Sequence, residues 1–261
     1  MRMRGTRLGS WLGWLLGGML GFGVVGPAPA ETVNCTAITA LPAVITVQGV
    51  YCLTGNLTAA IMGGNAIDIQ TSNVVLDLNG YKLAGLGAGT GTLTTGIHAN
   101  NRQNITIKNG TVRGFFNGIF LDDSAGGVSR GHVVEDIRAD QNRGAGIFVH
   151  GAAILVRNNQ VVATGGSTAF GPDEDASGIL VKGTATCVLN NDVSDTVKQG
   201  AGTARGIYFS GCTGCLAVNN RIMNADKGIE YALGDTGKFR DNLTFGVGTP
   251  FTGGTNVGNN N

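Results

Sequence analysis

Three side chains of complementary chemistry stand at the same place in a repeated pattern: the carboxylate of Asp122, the imidazole of His150 and the ammonium of Lys182. Each lies four residues after the glycine of a Gly-Ile dipeptide, at Gly118, Gly146 and Gly178. At half that offset, successive repeats carry His98, Phe120, Phe148, Leu180, Tyr208 and Glu230, and a variant repeat beginning at Ala66 carries Asp68. Asn100 falls in the first row, beside Asp122. A base next to a cation suits removal of a proton α to a carboxylate: His150 would take the proton and Lys182 would neutralise the acid. Hydrolysis of a glycosidic bond instead needs two carboxyl groups roughly 5–9.5 Å apart, which Asp122 could provide with Asp68 or with the acidic run Asp173-Glu174-Asp175. That run also offers oxygen ligands suited to Ca²⁺, the one cofactor the sequence suggests. Asp68, His98, Asn100, Phe120, Phe148 and Tyr208 would bind substrate, the rings by stacking on sugars. A solvated sheet face would be polar at these positions whatever its function, and its stacked aromatics would stabilise cross-strand pairs by under about 1 kcal/mol each.

The elements that must position these groups follow from the repeat. Gly-Ile recurs at Gly96, Gly118, Gly146, Gly178, Gly206 and Gly228, at intervals of 22, 28, 32, 28 and 22 residues. Most repeats contain a second alternating run ending in Asn: at Asn79, Asn109, Asn158, Asn190 and Asn219, with Glu135-Asp136 in the repeat from Gly118. A minimum near 22 residues fits three short strands and their turns, and the longer intervals fit loops bulging from a fixed cross-section. Asn tolerates the left-handed backbone that a tight corner requires, and stacked Asn side chains can hydrogen-bond to one another. The isoleucines would stack inward at about 4.8 Å per coil. The fold class is therefore all-β: a single-stranded right-handed parallel β-helix of about seven coils over residues 65–247, with an N-terminal capping coil at 31–64 and a flexible tail at 248–261. No stretch has helical periodicity, and the 45 glycines with only 13% charged residues argue against a helical bundle.

Residues 1–30 read as a cleaved signal peptide: Arg2, Arg4 and Arg7 precede the apolar stretch Trp11 to Val25, and Ala28-Pro29-Ala30 is a small-residue cleavage pattern. Cutting there removes both tryptophans and leaves 15 basic against 17 acidic residues, which excludes the strong basic balance of a nucleic-acid binder. No later segment is long and apolar enough to span a membrane. The expected location is secreted or periplasmic, an oxidising setting in which Cys35 and Cys52 would staple the first coil. Cys187 and Cys215 each follow a repeat glycine by nine residues, an offset that would put them on adjacent coils, and Cys212 completes a CxxC with Cys215.

Gly-Ile-x-apolar strands followed by apolar-x-apolar runs ending in Asn-Asn resemble the repeats of the pectate-lyase-like superfamily, over residues 44–245. The resemblance implies a ligand surface on the outer face of one parallel sheet, flanked by variable loops. It implies carbohydrate as the ligand, with two possible roles: binding without turnover, or action as a polysaccharide lyase, epimerase or glycoside hydrolase on a uronan-type glycan. The hydrolases' Gly-His-Gly and Arg-x-Lys signatures are absent; Asp122-Asp123 is similar to their acidic pair. Loops at 84–95, 123–132 and 163–177 would wall the groove.

Overall fold

The computed structural model describes residues 34–261; the expected signal peptide lies outside them. The chain winds into a solenoid of parallel strands with three sheets running its length. Sheet one holds Asn65–Ile69, Thr95–Asn100, Asn117–Asp122, Ala145–Ala152 and Ala176–Thr184. It continues into the first part of Ala204–Val218 and the last part of Arg221–Tyr231. Ile67, Ile97, Ile119, Ile147, Ile179, Ile207 and Ile229 pair one with the next. All are at most 1% exposed and form the inward column that the repeat implies. One further rung precedes this set at Ala43–Ile45 and one follows it, where Ile229 pairs with Phe251.

The corner between sheets two and three is where the Asn pairs fall. Asn79, Asn109, Asn158, Asn190 and Asn219 have φ between 50° and 58°, and Asp136 takes the same conformation at 54°. Except at Asn79, where Gly80 follows with φ 75°, only that one residue turns left-handed, and from Asp136 onward the residue after it is swung inward. Asn159, Asn191, Asn220 and Asn242 are at most 2% exposed. Each donates from Nδ2 to the Oδ1 of the next, ending on Asn260, at 2.9–3.0 Å. This column satisfies the backbone as well, because each side chain also donates to a carbonyl of the coil behind it.

The repeat glycine has an equally specific cause. At Gly96, Gly118, Gly146, Gly178 and Gly206 an added Cβ would lie 2.5–2.8 Å from the carbonyl oxygen of the next repeat glycine. The chain bends inward here as it enters sheet one, and coils approach too closely for any side chain.

Two expectations need correction. Residues 248–261 are not a loose tail: Leu243–Thr252 and Thr255–Asn256 pair with the preceding coil, and Asn260 closes the amide column. Cys35–Cys52 forms as expected, but Cys215 is joined to Cys212 rather than set beside Cys187, which is free. A register shift between Val181 and Gly183, which pair with Phe209 and Cys212, sets Cys187 opposite Leu216 instead.

His132 belongs to the core. It is 1% exposed, Nδ1 accepts the Ile105 N–H at 3.1 Å, and Nε2–H donates to Ser129 Oγ at 2.8 Å. Burial pushes its pKa down to about 4, whereas an unfolded histidine titrates near 6.5. The unfolded chain then binds a proton that the folded chain refuses, so this contribution is complete above about pH 6.5 and is lost as the pH falls towards 4. The loss is on the order of 3 kcal/mol. Between pH 7 and pH 4 the thermal midpoint should therefore fall by about 10 °C more than in a His132→Gln variant; equal slopes in the two proteins would refute the assignment.

Candidate functional site

The outer face of sheet one carries the predicted rows in the predicted register. Asp68 pairs with His98, His98 with Phe120, Phe120 with Phe148, and Leu180 with Tyr208. In the next row Asn100 pairs with Asp122, and His150 with Lys182. Two imidazole–carboxylate couples result. His98 Nδ1 lies 2.7 Å from Asp68 Oδ1, and His150 Nδ1 lies 3.1 Å from Asp122 Oδ1. A carboxylate only accepts, so Nδ1 carries the proton in both rings and Nε2 is left available to a ligand. Burial raises the Asp68 pKa, but donors from His98 and Gln70 more than offset it and hold the carboxyl below its ordinary value. Lys182 has no carboxylate partner among the described ion pairs; its Nζ sits 5.5 Å from the centre of the Phe148 ring. Asp122 and Asp68 lie in different rows, two rungs apart, and each is engaged by its own histidine.

The face is open. The side chains of His98 and His150 keep 21% and 31% of their exposure. The loops rim it rather than roof it: Thr90 and Thr168 join the 84–95 and 163–177 loops at one edge, and Ser124 hydrogen-bonds to Asn100 and Asn101 at the other. Asp123, the neighbour of Asp122, is buried and accepts the N–H groups of Gly127, Val128 and Ser129. Burial raises its pKa, and these three donors bring it below the ordinary value. It shapes the loop and does not face a ligand.

The aromatic row is turned differently from expectation. Phe120 and Phe148 stack on each other, centroids 4.4 Å apart and planes 15° apart. Lys182 lies over Phe148, and the Arg205 guanidinium lies 4.4 Å from the centre of Tyr208. These faces are therefore occupied by protein, and edges are what a ligand meets. The acidic run does not converge either. Asp173 accepts the Ala201 N–H, Glu174 the Phe170 N–H, and Asp175 the Thr203 N–H while pairing with Arg205 at 2.7 Å. Among the described residues no three His, Cys, Asp or Glu side chains converge as metal ligands.

Strict alternation from the isoleucines missed a third outward row. Because both the repeat glycine and the isoleucine face inward, the residue before the glycine faces out: Asn65, Asn117, Ser177, Arg205 and Lys227 occupy this row. Arg205 reaches Glu230 at 2.6 Å as well as Asp175, which raises its pKa despite the opposing effect of burial. Asn117, Ser177, Arg205, Phe148, Leu180 and Tyr208 line a shallow depression of about 250 Å³. A second, of about 270 Å³, lies over Asp68, Gln70, His98, Asn100 and Arg102.

No helix among the described residues is long and apolar enough to cross a membrane. The chain is similar in structure to the tailspike protein gp208 of Dettilon, with 18% identity and a TM-score of 0.60, over 79% of this chain and 42% of that one. It is similar also to ORF18 of Geobacillus virus E2, with 11% identity and a TM-score of 0.54, over 86% and 50%. The chain thus spans at most half the length of these two proteins. An alginate lyase from Paenibacillus sp. str. FPU-7 superposes with 11% identity and a TM-score of 0.45, over 80% and 92%. None of the curated proteins matches the sequence. Residues 95–261 match the model of the right handed beta helix region, and with three parallel sheets and an unbroken inward column around that segment, the chain belongs to the right-handed β-helix family.

Proposed function

We propose that this protein is an exported, polysaccharide-binding β-helix that holds a linear glycan along the outer face of sheet one. The observation that carries the reading is the open polar row itself. Hydrogen-bonding side chains recur on it at four successive rungs, Asn100, Asp122, His150 and Lys182, about 4.8 Å apart, as a periodic polymer laid along the axis would require. His98 and His150 present Nε2, Asn100 an amide and Lys182 an ammonium, and the ring edges of Phe120 and Phe148 supply the apolar strip between them. Calorimetry with a panel of neutral glycans and polyuronates tests this. At least one glycan should bind, and His150→Ala and Lys182→Ala should each weaken it about tenfold or more with an unchanged thermal midpoint. Binding to none of the panel would sink the reading.

The His150–Asp122 couple favours one second reading. Asp122 fixes the tautomer that exposes Nε2 as a base, and Lys182 stands on the next rung, the arrangement that β-elimination from a uronan or epimerisation of it needs. Accumulation of an unsaturated sugar or an epimerised residue, abolished by His150→Ala, would establish turnover in place of simple retention.

A further inference from the structure

The depression over Asn117, Ser177 and Leu180 differs in chemistry from the row of Asn100, His150 and Lys182. Its charges cancel. Arg205 is held between Asp175 at 2.7 Å and Glu230 at 2.6 Å, and Lys227 shares Glu230. Two cations thus meet two carboxylates, and a uronate would find no free counter-charge at this part of the face. What remains is an apolar bed of Ala145, Leu180 and the edge of Phe148. Phe116 walls it on one side. Its ring lies on Gly144, where a Cβ would come within 2.7 Å of it, and is braced edge-on by the exposed ring of Phe170.

Two uncharged polar side chains face each other across that bed. Asn117, Ala145 and Ser177 follow one another in register in the row before the repeat glycine. Ser177 is 5% exposed, yet among the described residues neither its hydroxyl nor the Asn117 side-chain amide has a hydrogen-bond partner, and both line the depression. A hydroxyl so nearly buried takes its partner from whatever occupies the space above it. Two inter-strand spacings separate Asn117 from Ser177, about 10 Å. A secondary amide laid across Ala145 matches that span. Its N–H and carbonyl point in opposite directions, and with one hydrogen bond at each end it reaches roughly 8 Å from partner atom to partner atom. We propose that this depression is a subsite for the acetamido group of an N-acetylhexosamine, a reading that rests on the glycan-binding role of the face. The amide N–H donates to Asn117 Oδ1, the Ser177 hydroxyl donates to the acetyl carbonyl, and the methyl packs on Ala145 and Leu180. A parent hexose offers no methyl and cannot reach both polar groups at once. A free amine sets a charge on the apolar bed with every carboxylate nearby already engaged.

Ligand-detected magnetic resonance tests the proposal with N-acetylglucosamine, N-acetylgalactosamine and N-acetylmannosamine, each beside its parent hexose and its free amine. Circular dichroism and the thermal midpoint serve as controls for folding. At least one N-acetylhexosamine should bind about tenfold or more tightly than its parent, with saturation transfer greatest at the acetyl methyl. Ser177→Ala and Asn117→Leu should each abolish that preference, and Asn117→Asp, which keeps the acceptor, should retain it. No preference for any of the three, a preference indifferent to Ser177→Ala and Asn117→Leu, or transfer centred elsewhere on the sugar would overturn the subsite. Glycan binding in the calorimetric panel without an acetamido preference would overturn the subsite alone. Binding in neither experiment would overturn the reading of the face along with it.

Discussion

Asn191→Leu is expected to lower the stability of the fold by about 4 kcal/mol or more, although leucine is close to asparagine in size. Asn191 is fully buried and sits in the middle of the amide column. Its Oδ1 accepts both the backbone N–H and the side-chain amide of Asn159 at 3.0 Å, while its Nδ2 reaches the carbonyls of Val156 and Leu189 and the Oδ1 of Asn220. Leucine would leave the Asn159 N–H buried without a partner, at roughly 1–3 kcal/mol, remove four further side-chain hydrogen bonds at about 1 kcal/mol each, and break the column into two segments. Its neighbour Asn190 is exposed and takes the left-handed corner at φ 56°. Asn190→Gly should therefore change stability by well under 1 kcal/mol. Urea titration of the two variants distinguishes them; a small effect at Asn191 would mean the column is incidental to stability.

Gly178→Ala should be worse, though it adds a single methyl group. That methyl would come 2.3 Å from Val193 Cγ1 and 2.7 Å from the Gly206 carbonyl oxygen. The carbonyl is backbone held in the sheet, so the coils must separate locally, at more than the usual 1–3 kcal/mol for overpacking a core. Loss of soluble folded protein is the expected result. Gly63 meets nothing within 4 Å and has an ordinary φ, so Gly63→Ala should be neutral or stabilise slightly. Equal yields of the two variants would contradict the close approach.

Much of this architecture was legible in the residues. The Gly-Ile spacing placed the inward column, and the Asn endings placed the left-handed corners, including the Asp136 substitute. What the pattern could not divide was the Asn pair. Asn158 and Asn159 are identical in type, yet the corner exposes the first and buries the second. The outward row before the glycine escaped because strict alternation assumes a straight strand, and the bend at the glycine resets it. Charge was the signal that pointed there: no core accepts Arg205 and Lys227. Ring orientation in the Phe120–Phe148 pair depends on packing between coils, which sequence spacing does not contain. The Gly- and Asn-rich end read as loose chain because turn residues and disordered segments share a composition; Gly253 and Gly254 in fact supply left-handed turns at 66° and 62°.

The one-residue corner at Asn158, Asn190 and Asn219 stays constant in length while the coils around it differ by up to ten residues. The longer segments lie at the entrance to sheet one and its exit, next to the face proposed to hold a glycan, and none enters the corner that carries the amide column. A lineage of such proteins can thus lengthen, shorten or exchange the segments beside the ligand while inheriting the spine unchanged. Recognition and scaffold are free to evolve at separate rates.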